Sequence, residues 1–235
     1  MASVELKQDG RVAIMTIDDG ARNALNGSLL EEIRTTLARI ATDPEIGALV
    51  VTGNSKFFMN GLDIGWMKTL KIKEGYAFLV DVTKLLKETA LFPLPVIGAI
   101  SGHAFGLGAI WASGFDYRMM NSEKGWVCFP EMTINIPFSP GMIALCEHGL
   151  GKTTFRKMAW SAERYTGEEA LDIGYASSIH TYEELLPAAS ALATGLGKRR
   201  PEAFAYTKIA FAEGTAAILE RDPEALKTIP VKISQ

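Results

Sequence analysis

Two short apolar runs constrain this chain more than any other feature: Ile46-Gly-Ala-Leu-Val-Val-Thr52 and Pro95-Val-Ile-Gly-Ala-Ile100. Neither alternates apolar with polar, so each predicts a strand covered on both faces, as in a parallel sheet flanked by helices. Around them the spacing turns helical. Leu29, Leu30, Ile33, Leu37 and Ile40 recur at helical intervals, and a second helix is expected over 73–91, stopped before Pro93. Ser28 is the expected N-cap of the first helix, with Glu31 as its capping-box partner. Upstream, 4–6 and 12–17 flank Asp9-Gly10 and predict a hairpin. Downstream, the glycine-rich turn 102–108 leads into a helix through 110–113, and 115–120 is the next strand. Strand, helix, buried strand, helix, buried strand, helix is the rhythm of right-handed crossovers on a parallel sheet.

From Pro140 the spacing is helical near 140–148, 151–160, 167–174, 181–196 and 201–219, with one strand candidate at 176–180. The expected organisation is an α/β core over 1–160 followed by a helical region over 161–235. Residues 220–235 show no period and receive no element.

Composition narrows the function classes. Apolar residues make up 48% of the chain, enough for a large core. No window approaches the ~18 to 20 uninterrupted apolar residues of a membrane span. The opening residues Met-Ala-Ser-Val-Glu-Leu-Lys show no secretory signal, and the two cysteines, Cys128 and Cys146, read as reduced thiols. A net charge of −3 speaks against a nucleic-acid partner. A cytoplasmic protein with neither a membrane nor a nucleic acid as partner is expected.

Two phosphate-binding motifs fail. Gly149-Leu-Gly151-Lys152-Thr153 would need its first P-loop glycine at Cys146, and Gly106-x-Gly108 would need a third glycine at Trp111. His148 and His180 share no metal-ligand spacing with each other or with the cysteines, so no metal site is expected. What remains is a pair of loops after buried strands, 57–64 and 101–108, about forty residues apart. Loops leaving the carboxyl ends of parallel strands are where ligands bind. Glycine lets backbone N–H groups approach a ligand oxygen closely, and two such groups converging on one point make an oxyanion hole.

These loops also carry a family resemblance. Arg22-Asn23-Ala24-Leu25-Asn26, Phe58-x-x-Gly61-Leu62-Asp63-Ile64, Gly102-His-Ala-x-Gly106-Leu107-Gly108 and Phe115-Asp116-Tyr117-Arg118 resemble, in order, segments of the crotonase (enoyl-CoA hydratase/isomerase) superfamily. Phe129-Pro130-Glu131 and Tyr165-Thr-Gly167-Glu-Glu-Ala170-Leu-Asp-Ile-Gly174-Tyr continue the series. The resemblance implies a ββα spiral core with C-terminal helices, usually assembled as trimers or pairs of trimers. It implies an acyl-CoA thioester as substrate and no separate cofactor, coenzyme A being part of the substrate. It places the oxyanion-hole N–H groups on Leu62 and Leu107. Ala24, Leu25, Gly61, Asp63, Ile64, Gly106 and Ile110 fall on substrate-binding positions.

The family's hydratases carry two catalytic glutamates. The matching positions here are Ile110 and Glu131. Adding water across a double bond calls for groups that orient the water and deliver a proton, whereas moving the bond from C3 to C2 requires one base that shuttles a proton. The site therefore resembles that of the Δ3,Δ2-enoyl-CoA isomerases, with Glu131 as base. Its neighbours Val127, Cys128, Phe129, Met132, Ile134 and Ile136 are mostly apolar, which raises a carboxyl pKa. Another crotonase reaction, hydration or thioester hydrolysis, and a non-catalytic CoA-ester-binding homologue remain open alternatives. His103 is read as scaffolding, with a second acid–base role as the alternative. Asp116 resembles a structural aspartate of the family. Trp66, Met67, Phe78, Trp111 and Phe138 are core residues or acyl-tunnel linings, and Lys198-Arg199-Arg200 is a solvated helix end.

Overall fold

The computed structural model describes residues 3–198 and 201–227. Strands β1 (Val4–Asp9) and β2 (Val12–Ile17) form the expected hairpin, pairing antiparallel with Gly10 at φ +56° in the turn. Helix α1 (Gly27–Thr42) leads to β3 (Ala48–Thr52). Next come β4 (Phe57–Met59), the one-turn α2 (Ile64–Met67), α3 (Ile72–Ala90) and β5 (Val96–Ile100). The second glycine segment holds β6 (His103–Phe105) and α4 (Leu107–Ser113), followed by β7 (Tyr117–Asn121) and β8 (Val127–Cys128). The remainder is α5 (Pro140–Leu150), α6 (Lys152–Ser161), α7 (Gly167–Asp172), β9 (Ser178–His180), α8 (Tyr182–Gly197) and α9 (Pro201–Leu226).

The main sheet runs β1-β2-β3-β5-β7-β9 and is parallel from β2 onward. Every residue of β3 and β5 is buried, because helices cover both faces. On one face Leu185, Ala189, Ala193 and Leu196 of α8 pack on Val12, Val50, Ile97 and Met119. On the other, the apolar stripe of α1 and the inner sides of α3 and α4 form the larger core. The last strand of the sheet, β9, comes from the 161–235 region and pairs with β7. This is the α/β spiral with C-terminal helices that the family resemblance implies.

Three expectations are corrected. Asn26, not Ser28, caps α1: its side chain accepts from the Leu29 N–H, while Ser28 Oγ faces Glu32 at 3.4 Å. Both glycine loops hold a short strand, and β4, β6 and β8 make a second parallel sheet. The helix from Pro201 does not stop near 219 but runs to Leu226, while residues 228–235 lie outside the described residues, as do Arg199 and Arg200 of the basic run.

Candidate active site

The first loop is fixed by Asn23. Fully buried at φ +53°, this asparagine donates from Nδ2 to the carbonyls of Ile17 (2.8 Å), Phe57 (3.0 Å) and Phe58 (3.2 Å). The chain then bridges the loop, with the Leu25 N–H donating to Gly61 O (2.7 Å) and the Asp63 N–H to Leu25 O (2.9 Å). A parallel bridge engages alternate residues, so it consumes the groups on either side of Leu62 and leaves the Leu62 N–H without a partner among the described residues. Gly61 turns at φ +77°, and Asp63 Oδ1 accepts from the Trp66 N–H (2.9 Å), capping α2. Ala24 is half-buried, Leu25 fully buried, and Ile64 exposed.

The second loop meets the first at this point. Gly106 adopts φ +51°, ψ −123°, a conformation open essentially to glycine alone. Its N–H donates to Cys128 O (3.0 Å), and α4 starts at the next residue, so the Leu107 N–H belongs to the first turn and has no partner within the helix. A Cβ placed on Gly61 would lie 2.9 Å from Phe105 O and 3.4 Å from Leu107 N. The two glycine loops are thus in backbone contact.

Glu131 lies against the same loop. A Cβ placed on Gly106 would sit 3.3 Å from Glu131 Oε1. Glu131 is 7% exposed, and its buried Oε2 accepts no hydrogen bond among the described residues. Burial pushes its pKa up to about 7, partly offset by a hydrogen bond from its own backbone N–H. The preceding Phe129 is fully buried against Phe138, Phe155 and Tyr175, which anchors the start of the turn. Asp222 is the other buried acid among the described residues, and both its oxygens are engaged. Ile110, 1% exposed, is part of the hydrocarbon core.

The remaining candidates make packing and hydrogen-bond contacts elsewhere in the fold. His103 stacks on Trp126 (4.6 Å) on the small sheet, and its Nδ1 accepts from the Trp126 N–H (3.3 Å). Burial, then Lys56 and Arg164, lower its pKa. Asp116 accepts from the Val96 N–H (2.7 Å) and from Lys208 Nζ (2.6 Å). Trp111 is fully buried, donating to Thr89 Oγ1 (2.8 Å), and Phe138 packs edge-on against Phe155. Trp66 meets Phe78 edge-on at 4.9 Å, and Met67 is half-buried. His180 Nε2 pairs with Ser178 Oγ (3.0 Å). Asn23 and Asp222 were not singled out by the sequence. Only the tolerance of asparagine for positive φ hints at the first.

Two unpartnered backbone N–H groups on touching loops, with a buried carboxyl that keeps one oxygen unbonded beside them, define a class: enzymes that polarise a carbonyl and move a proton next to it. The family model described as enoyl-CoA hydratase/isomerase matches residues 7–229, and the chain belongs to that family, whose enzymes act on acyl-CoA thioesters. It is 30% identical to a short-chain-enoyl-CoA hydratase of Clostridium acetobutylicum, over 90% of this chain and 82% of the relative. It is 26% identical to peroxisomal enoyl-CoA delta isomerase 1 of Arabidopsis thaliana, over 89% of this chain and 88% of the relative. A solved enoyl-CoA hydratase/isomerase family protein from Pseudomonas syringae superposes with a TM-score of 0.88 at 25% identity, covering 94% of this chain and 95% of that one. A probable enoyl-CoA hydratase of Mycobacterium tuberculosis shares the fold, with a TM-score of 0.89 at 22% identity, covering 96% of this chain and 95% of that one.

Proposed function

We propose that this enzyme shifts the double bond of an enoyl-CoA from C3 to C2 by a proton shuttle on Glu131. The observation that supports this most directly is the carboxylate count: Glu131 is buried beside the second loop with Oε2 unbonded, while the position of a second acid holds the core residue Ile110. In this reading the thioester carbonyl accepts from the Leu62 and Leu107 N–H groups. Glu131 takes the C2 proton, the dienolate charge collects on the carbonyl oxygen, and the same carboxyl returns the proton at C4. Ala24, Leu25, Gly61, Asp63, Ile64 and Gly106 shape the thioester's binding site, and Ile110 offers it an apolar wall. No further cofactor enters, since coenzyme A travels with the substrate. We also propose a cytoplasmic homotrimer or hexamer, with residues 161–235 contributing to assembly; light scattering should give that mass. Among the described residues no helix is long and apolar enough to cross a membrane.

Hydration is the second reading, favoured by the 30% identity to named hydratases. Incubation with 3-enoyl-CoA and with 2-enoyl-CoA, followed by product analysis, separates the two. Isomerisation gives the conjugated 2-enoyl thioester without uptake of water; accumulation of 3-hydroxyacyl-CoA from the 2-enoyl substrate would place the enzyme among the hydratases. An intact protein that binds acyl-CoA and converts neither would be a binding homologue.

A further inference from the structure

The loop carrying Glu131 is pinned at two ends, and the second pin comes from the far end of the chain. After Pro130 the backbone turns tightly: the N–H groups of Thr133 and Ile134 donate to Pro130 O (2.9 and 3.1 Å), and that of Ile136 donates to Glu131 O (2.9 Å). Met132 and Ile134 at the crest are 49% and 54% exposed, so side-chain packing does little to hold the crest. The loop re-enters the core at Phe138 and ends at Ser139, the N-cap of α5.

At that point α9 reaches in. Asp222, 1% exposed, accepts from Ser139 Oγ (2.6 Å) on one oxygen and from the Gly141 N–H (2.7 Å) on the other. Ser139 Oγ in turn accepts from the Met142 N–H (3.2 Å). A carboxylate from one helix thus completes the N-terminus of another. The approach is close enough to require glycine: a Cβ on Gly141 would lie 2.7 Å from Asp222 Cγ and 2.8 Å from Leu219 Cδ2. The flanking turn of α9 is tied down as well, Lys87 pairing with Glu220 and Tyr76 Oη donating to Pro223 O (2.7 Å). Two helix ends are thus locked by a buried, fully paired carboxylate, which loses both charge-assisted bonds if either partner moves.

We infer that Asp222 is a positioning residue for catalysis: through Ser139 and the start of α5 it holds the 130–138 loop so that the Glu131 carboxyl stays against the second glycine loop. The inference rests on the proposed role of Glu131. Asp222 touches no reacting atom; it acts by fixing the base, and displacement of a reacting group by about 1 Å costs on the order of 100-fold in rate.

Three variants test it: Asp222→Ala removes the clasp, Asp222→Asn keeps its shape and one acceptor, and Gly141→Ala keeps every donor but forces α5 and α9 apart. With 3-enoyl-CoA at a temperature where all are folded, Asp222→Ala and Gly141→Ala should lower kcat by roughly 10- to 100-fold with KM within about twofold. Asp222→Asn should recover most of the loss. In parallel, hydrogen exchange at the Ile136 N–H should accelerate in Asp222→Ala while that of the β3 and β5 amides does not. Unchanged kcat, or a loss carried wholly by KM, overturns the inference. If the wild type lacks isomerase activity, the functional reading fails by itself. The exchange measurement still decides the clasp: an unaltered loop overturns it, and an accelerated one upholds the mechanical half.

Discussion

Glu131 is where chemistry and stability pull against each other. A carboxyl with one oxygen free of hydrogen bonds is poorly solvated in its charged form, and its pKa of about 7 records that. As a base it must be deprotonated, so kcat/KM with 3-enoyl-CoA should rise with pH to a plateau above about 7. Glu131→Gln keeps size and one acceptor but cannot take the C2 proton. Turnover should fall by roughly 10² to 10⁴-fold while acyl-CoA binding persists; turnover left intact would falsify the shuttle. Stability should move the opposite way. Below the ordinary value of 4.5 the carboxyl is protonated in both folded and unfolded chains and makes no difference. Between 4.5 and about 7 the unfolded chain gives up a proton that the folded one retains, so stability falls as pH rises. The deficit is complete above that window, at about 3 kcal/mol. Glu131→Gln should therefore raise the melting temperature at pH 8 and barely change it near pH 4.5. In the sequence Glu131 stands out through the family resemblance of Phe129-Pro130-Glu131 together with its mostly apolar neighbours. Asp222 does not: it falls in the stretch 220–235, which shows no period and receives no element. Its burial arises with contacts to Ser139 and Gly141, 83 and 81 residues earlier.

At the scale of elements, the sequence shows what repeats and hides what is short. The five-residue strands β3 and β5 are legible because both of their faces are apolar. Strands of two or three residues, as in β4, β6 and β8, fall below any periodic signal, yet they dock the two glycine loops together. The cap of α1 misled for a related reason. Ser28 and Asn26 are both good capping residues, and the choice was made by the Leu25–Leu62 bridge, which holds the chain extended through Asn26. Gly61 is one of the residues on which the contact between the loops depends. Replacing it with alanine imposes a side chain at φ +77° and drives a Cβ to 2.9 Å from Phe105 O, so the first loop must shift away from Leu107. The cost in stability should be about 1 to 3 kcal/mol. The cost in kcat should exceed what the fold suffers, because misplacing one of two N–H donors forfeits roughly 10²-fold. Circular dichroism and kcat measured on the same sample check both parts. A native-like kcat would mean that the Leu62 N–H does not bear on the reaction.

For the whole molecule, α9 packs against α3 and α5, and polar contacts at its two halves tie it to the rest. The clasp at Asp222 secures its C-terminal half to α5. The other half is secured to the sheet by Lys208, 7% exposed at its side chain, whose Nζ donates to Asp116 Oδ2 (2.6 Å) and to Leu94 O (3.3 Å). Asp116 also accepts from the Val96 N–H, so a single carboxylate joins α9 to the entry of β5. The sequence reading placed Asp116 among structural residues and gave Lys208 no part, since a lysine in a helix reads as solvated until its partner is known. Desolvation lowers the Lys208 pKa, with Asp116 acting against it. Such a pair is weak evidence for net stability, but breaking it from one side leaves a partly buried charge alone. Lys208→Ala should therefore destabilise the fold by on the order of 3 kcal/mol. Lys208→Met with Asp116→Asn, which neutralises both partners, should recover most of that loss. Denaturant unfolding of Lys208→Met, Asp116→Asn and the double gives the coupling directly. If the losses simply add, the two partners are not energetically coupled, and α9 is held by its other contacts.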